Sequence, residues 1–216
     1  MSNTQDKNRN TMQNILHNDP RVDFFDNQAP NWDTCGPDIN VTLSRLRQIQ
    51  NKLGLLPGMN ILEVGCGTGQ ISGCLAEWVK PGKVVSIDFS PAMIQIASKK
   101  NIPAEFKVID ICGTVDMKER FDIVICFHSF PHFRDKIKAL LNIRNLLKPD
   151  GMLIVLHLSG SKELNEFHKN VGGAVAGDFL PDAEEWEKLF KKIGFSLIEI
   201  EDKPDLFFLR GRLKRG

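Results

Sequence analysis

The ten residues Ile61-Leu62-Glu63-Val64-Gly65-Cys66-Gly67-Thr68-Gly69-Gln70 constrain this chain more than any other stretch. An apolar run feeds a turn with glycine at every second position, and a helical pattern opens directly after it. Glycine allows the tight bend, and its missing Cβ lets backbone N–H groups come close to a ligand. The surrounding text keeps the same rhythm. Apolar runs recur at 84–87, 106–109, 121–127 and 152–158, with helical stretches at 70–79, 91–100 and 134–147 between them. Ser90 followed by Pro91 is a helix-start signal, and Lys148-Pro149-Asp150-Gly151 reads as a turn. Apolar strands alternating with helices predict a parallel sheet covered on both faces.

The last part of the chain departs from that rhythm. Asp182 to Glu185 reads as a capping box that opens a helix burying Trp186, Leu189, Phe190 and Ile193, closed by Gly194. Two strand-like runs follow, 195–200 and 206–213, around the turn Asp202-Lys203-Pro204. They predict a hairpin, and so an antiparallel edge on an otherwise parallel sheet of seven strands. With 216 residues the chain makes one sizeable domain, expected over 21–216 after a disordered polar tail at 1–20. Within it, 21–58 reads as N-terminal cap helices, including a helix over 39–53, and 159–181 as an insertion.

Two carboxylates give the glycine turn its meaning. Asp88 ends the second strand, where it can accept both hydroxyls of a ribose, and Asp110 ends the third, where an acceptor can meet an exocyclic amine. Open α/β sheets bind ligands at such strand ends. A glycine turn alone is weak evidence; the turn and both acids, each at the end of its own strand, are a specific combination.

On these residues the chain resembles the class I S-adenosylmethionine-dependent methyltransferases, in the small-molecule branch that includes the ubiquinone and menaquinone enzymes. The resemblance covers about residues 24 to 212 and implies a Rossmann-like α/β fold with S-adenosylmethionine as cofactor. It implies that Glu63, Gly65, Cys66, Gly67 and Gly69 form the loop around the methionine part and that Asp88 holds the ribose. Phe89 and Met93 would pack near the adenine, Asp110 and the Ile111 amide would read its amino group, and Phe127 would close the pocket. Residues 159–181 occupy the family's usual place for a substrate lid. In the turn before the fifth strand Asp150 stands where a second glycine is usual. Nicotinamide chemistry fits less well, because Gln70 follows the third glycine and the chain contains no tyrosine to serve as a dehydrogenase acid.

Four of the five histidines fall in segments that converge on the mouth. His128 and His132 follow the fourth strand and are the candidate catalytic residues, since a ring that titrates near neutrality suits a base or an anchor. His157 ends the fifth strand and His168 lies in the insertion; with Phe25 and Trp32 they are the candidate substrate and lid residues. Each has a plainer reading. His132 follows family habit, His157 can bond to backbone at a strand end, and His168 shares a helical stripe with Leu164, Phe167 and Val171. Phe25 and Trp32 can equally be core of an N-terminal helix. No metal is expected: Pro131 keeps His128 and His132 off one helical face, and a set drawn from His128, His157, Glu163, His168 and Asp178 would be loop ligands without tight spacing, which are easily coincidental.

The acceptor is expected to be a small molecule, methylated at O, N, S or C. Lys plus Arg number 28 against 27 Asp plus Glu, so the net charge of +1 carries no footprint for nucleic acid or an anionic membrane. The run Arg210, Arg212, Lys214 and Arg215 reads as a solvated edge. The turn His128-Ser129-Phe130-Pro131 lacks the Pro-Pro-aromatic signature of nucleic-acid amino-methylating enzymes, and no Pro-Cys pair points to cytosine C5 chemistry. No apolar run approaches the ~20 residues of a membrane span. Five cysteines without a CxxC pair fit buried thiols in a reducing cytoplasm better than disulfides or a zinc knuckle. A non-catalytic cofactor sensor or assembly protein is the alternative from another class, and aminopropyl transfer on the same fold a third.

Overall fold

The structure, a computed structural model, describes residues 19–214. The tail expected at 1–20 lies outside the described residues but for Asp19 and Pro20, which open the first helix. In chain order the elements are α1 (Pro20–Gln28), α2 (Ile39–Gln48), α3 (Gln50–Leu53), β1 (Ile61–Val64), α4 (Ser72–Val79), β2 (Val84–Asp88) and α5 (Pro91–Ala97). They continue with β3 (Glu105–Val108), β4 (Phe121–Phe127), α6 (Lys136–Leu146), β5 (Leu147–His157), α7 (Ser161–Val171), α8 (Ala183–Ile193), β6 (Phe195–Lys203) and β7 (Leu206–Leu213). Short 3-10 turns stand at Ala29–Asn31, Phe130–His132 and Gly173–Val175.

The seven strands form one sheet in the order β3-β2-β1-β4-β5-β7-β6. The first five are parallel, and β7 runs antiparallel to both β5 and β6. Alternation along the central strands sorts side chains to two faces. Val124 and Cys126 of β4 and Leu153 and Val155 of β5 join Trp186, Phe190 and the buried side of α6 on one face. Ile123 and Ile125, with Ile154 and Leu156, meet Leu46, Leu53, Leu75 and Val79 on the other. A third, smaller cluster joins Phe25 and Ala29 to Met93 and Val175, with Phe24, Trp32 and Phe89 against it. This is what seats α1 against α5.

Local signals hold where a cap or turn is involved. The Ser90 hydroxyl accepts from the Met93 amide at 3.1 Å, and Asp182 and Glu185 satisfy each other's amides at 2.9 and 3.0 Å. Gly194 ends α8 at φ 86°. Three expectations are corrected. The helix expected over 39–53 breaks at Ile49, whose φ of −104° and ψ of 9° leave the helical range. The turn at 148–151 is a bulge inside β5: Phe121 pairs with Leu147 but Ile123 with Met152, and Asp150 takes up the bend at φ 63°. And β3, at the sheet edge, is not covered on both faces; its residues are half-buried or exposed.

The C-terminal basic run is likewise not a uniform solvated edge. Arg212 and Lys214 are exposed, but Arg210 is half-buried beside Phe208 and donates to the Lys52 carbonyl, while Arg215 lies outside the described residues. All five cysteines are free; Cys35 is exposed and the other four are buried. No helix among the described residues is long and apolar enough to cross a membrane.

Candidate active site

The strand order reverses at β1, which pairs with β2 on one side and β4 on the other. Above the carboxyl ends of these strands lies a cavity of about 470 Å³, within the range of small-ligand sites. It runs from Asp110 beyond β3 to His128 and Leu158 beyond β4 and β5.

The glycine turn forms its floor. Gly65, Gly67 and Gly69 have φ of 73°, 55° and 77°, all in the left-handed region that favours glycine. A Cβ on Gly65 would stand 2.3 Å from Ser129 Cβ, so the β1 turn and the segment after β4 pack backbone against side chain with no room for more. Ser129 is held there by donating to the Val64 carbonyl at 2.6 Å. Gly65, Cys66 and Gly67 line the cavity, but Gly69 is not on its wall: it faces Phe106 and Ile102, and so fits the turn against β3.

Three acids surround this floor. Glu63 is buried and accepts from the Ser72 and Ser86 hydroxyls at 2.5 and 2.6 Å. Burial pushes its pKa up to about 7 despite those bonds, with nearby Asp88 adding to the rise. Burial likewise raises Asp88 to about 6, opposed by hydrogen bonds from the Ser90 and Gly67 amides at 2.9 and 2.8 Å. Each Asp88 oxygen thus has one protein donor and keeps a lone pair for another. Asp110 accepts from the Cys112 amide at 2.8 Å and from the Arg134 guanidinium, while Asn142 holds the same turn through the Ile111 and Gly113 carbonyls. Phe89, Met93, Ile111 and Phe127 also line the cavity.

The N-terminal segment closes over this floor. Asp26 accepts from the Ser90 hydroxyl and the Ala92 amide, at the start of α5. Asp33 accepts from Thr68 at 2.5 Å, Gln70 at 3.2 Å and Lys100 at 2.7 Å, pinning the segment to the glycine turn. Between these anchors Phe25 and Trp32 line the cavity, Trp32 beside Gly67 and Phe25 edge-on to Phe89 and His132. The same rings pack α1 and line the site, so the two readings of this segment do not exclude each other.

The four histidines separate. His132 Nδ1 lies 2.8 Å from Asp178 Oδ2, and Asp178 is only 2% exposed. Arg21 holds the other Asp178 oxygen, Nη2 to Oδ1, at 2.8 Å. Burial would raise the Asp178 pKa, but the bonds from His132 and Arg21 outweigh it and keep the carboxyl below its usual range. His128 stands at φ 53°, a conformation uncommon for a side-chain-bearing residue, and its Nε2 accepts from the Leu158 amide at 3.2 Å. Solvent reaches its ring through the cavity, yet the surrounding wall, with Arg45 and His132, pushes its pKa down to about 4.

His157 and His168 are not on the cavity wall, which corrects their expected contact with substrate. His157 is buried beneath His128, 5.0 Å between ring centroids, with neither nitrogen bonded among the described residues. His168 is buried and bonds through Nδ1 to the Asp178 carbonyl, so it fixes the loop that carries Asp178. The residues of 159–181 that do line the cavity are Ser159, Leu164 and Phe167. Sequence reasoning weighed Asp178 only as a loop ligand for a metal, and it missed Arg21 as a site residue. Among the described residues no group of three or more His, Cys, Asp or Glu is placed to hold a metal ion. Burial raises the thiols of Cys66 and Cys112, the latter to about 11, so neither is a thiolate at neutral pH.

Comparison with known proteins shows what the chain as a whole is similar to. The profile of a family described as "Methyltransferase domain" matches residues 41–200. The chain is 32% identical over 168 residues to phosphoethanolamine N-methyltransferase 1 of Zea mays, covering 74% of this chain but a third (33%) of that enzyme. It is 30% identical to demethylmenaquinone methyltransferase of Lactococcus lactis, over 85% of each. The structure of magnesium protoporphyrin IX methyltransferase from Synechocystis with bound SAH shares the fold at a TM-score of 0.59 and 19% identity, over 80% of this chain and 82% of that one.

Proposed function

The chain belongs to the methyltransferase-domain family, and on that premise we propose that it methylates a small molecule whose reacting atom lies between the glycine turn and His132. S-adenosylmethionine, when bound, supplies a methyl group already made electrophilic by its sulfonium. The residues present fit it: a glycine turn with backbone exposed to the cavity, and carboxylates at two strand ends with lone pairs to spare. In this reading Asp88 accepts the ribose hydroxyls, Asp110 and the Ile111 backbone meet the adenine edge, and Phe89 and Met93 pack on its faces. Glu63 supports the turn from below through Ser72, and Phe127 closes the floor beneath the acceptor.

The observation that carries the reading is the His132–Asp178 pair, set across one cavity from the glycine turn. Nδ1 donates to Asp178, so the lone pair of the His132 ring is on Nε2. That nitrogen takes the proton of an acceptor that arrives as O–H, N–H or S–H. His128, held neutral and with Nε2 already engaged, carries its proton on Nδ1 and orients the acceptor. The chain's remaining task is alignment, which can supply much of the acceleration. A small acceptor rather than a nucleic acid is supported by the net charge of +1 and by the apolar rim, where Val41 and Phe167 are 53% and 61% exposed. Nothing in the comparisons favours the sensor alternative, since the relatives named above are methyltransferases.

Calorimetry with S-adenosylhomocysteine and product release in a metabolite extract test both halves. Asp88→Asn is expected to weaken binding of that nucleoside at least ~tenfold, whereas His132→Gln keeps it and lowers turnover about a hundredfold, the scale of a general base. No binding heat from the wild type would remove the cofactor reading, and full turnover in His132→Gln would remove the base.

A further inference from the structure

We infer that Arg21 is a positioning residue for His132, acting through Asp178, so that the first turn of α1 belongs to the reaction centre. The inference rests on His132 as the acceptor-side base.

The geometry is a relay. Arg21 Nη2 bonds Asp178 Oδ1 at 2.8 Å, with Nε at 3.3 Å from both oxygens, while Oδ2 takes the His132 Nδ1 at 2.8 Å. The planar fork therefore fixes the rotation of a carboxylate that is itself almost fully buried. A carboxylate facing a histidine with no counter-charge would favour the imidazolium, which cannot take a proton. Arg21 offsets that pull while leaving the hydrogen bond that sets the tautomer. It is in turn oriented by Asp19, 3.7 Å from its Nη1, and Asp19 also bonds Arg134 at 3.0 Å, whose other arm reaches Asp110. The carboxylate assigned to the adenine edge and the base are thus joined through one N-terminal turn.

Other charged and titratable groups face His132 and bear on any pH effect. Asp88 comes from the end of β2, His128 from the end of β4, His168 from α7, and Lys136 from α6 stands near Asp178 and His168. His157 lies deeper. Among the described residues none of these is hydrogen-bonded to Asp178 Oδ1, the oxygen that Arg21 holds.

The test is nitrogen NMR of the histidine rings in the full-length protein, with His132 assigned through His132→Gln. The wild type is expected to show neutral His132 with the proton on Nδ1. In Arg21→Met its ring-nitrogen signals move toward those of the imidazolium at the same pH, because Asp178 has lost its counter-charge. Arg21→Lys, which keeps the charge, returns most of the shift. Unmoved ring signals and an unchanged tautomer in a folded Arg21→Met overturn the inference. So does an equal shift in both variants, which would mark a packing effect. Should Arg21→Met fail to fold, the wild type decides: the Arg21 Nε–Hε signal must follow the His132 titration, and a signal blind to it overturns the link. These readouts need no acceptor, so they fail or succeed apart from the turnover of His132→Gln.

Discussion

At the scale of single residues, this site works by burying groups that carry charge and compensating each one differently. Asp178 is kept ionised by Arg21 and His132, whereas Glu63 has only two hydroxyls and a like-charged neighbour. Its pKa is therefore raised in the folded state, from an ordinary value of 4.5 to about 7. The sign follows directly. The stability associated with a protonated Glu63 is complete below about pH 4.5 and is lost as pH rises through 7. A shift of that size corresponds to about 3 kcal/mol once ionisation is complete. Glu63→Gln removes the ionisation and keeps the shape. Its melting temperature relative to wild type is expected to be several degrees higher at pH 8 than at pH 5. An equal difference at both pH values would show that Glu63 is not the titrating group.

At the scale of elements, the N-terminal segment is the part whose role changes most between sequence and structure. Its polar anchors all reach elements far along the chain: Asp26 to the start of α5, Asp33 to the glycine turn, Arg21 to the loop after α7. Deleting residues 1–33 removes these ties together with Phe25 and Trp32, which line the cavity. That deletion is expected to cost at least ~tenfold in S-adenosylhomocysteine affinity and to abolish turnover, since under the proposed mechanism His132 loses the residue that orients Asp178. A shorter truncation that begins at Asp19 keeps every one of these contacts and is expected to retain both. Wild-type affinity in the longer deletion, measured by calorimetry, would show that the segment is not part of the site.

At the scale of the molecule, stability and function fall on different parts of the sheet. The β5–β7–β6 edge, braced by α8 with Trp186 and Phe190, supports the site from behind and puts no strand residue on the cavity wall. The cavity is closed instead by α1, the segment through Trp32 to α2, and α7, which meet across the strand ends mainly through side chains. Elements held in this way open more readily than the core of a sheet. Binding of S-adenosylhomocysteine is accordingly expected to slow amide exchange in α1, α2 and α7 severalfold and to leave β6 and β7 unchanged. Uniform slowing across the sheet, read by mass spectrometry, would contradict this division.

Much of the protein is legible in its sequence because the signals are local. The glycine turn, Ser90 before Pro91 and the Asp182–Glu185 box each encode their geometry within a few residues, where sterics and one or two hydrogen bonds decide the outcome. Asp88 and Asp110 could be singled out as candidate ligands because each sits at or just beyond a strand end defined by its own neighbours. The break at Ile49 and the bulge at 148–151 are not, since packing and register settle them. The acceptor side escapes sequence almost entirely. Arg21 and Asp178 lie 157 residues apart, and His128, His132, His157 and His168 look alike as letters. Folding buries one with no hydrogen-bond partner among the described residues, ties one to a backbone carbonyl, leaves one neutral in the wall and sets one against an ionised carboxylate. The chemistry of a titratable side chain depends on burial and on charges brought from elsewhere in the chain, and only the tertiary structure brings them together.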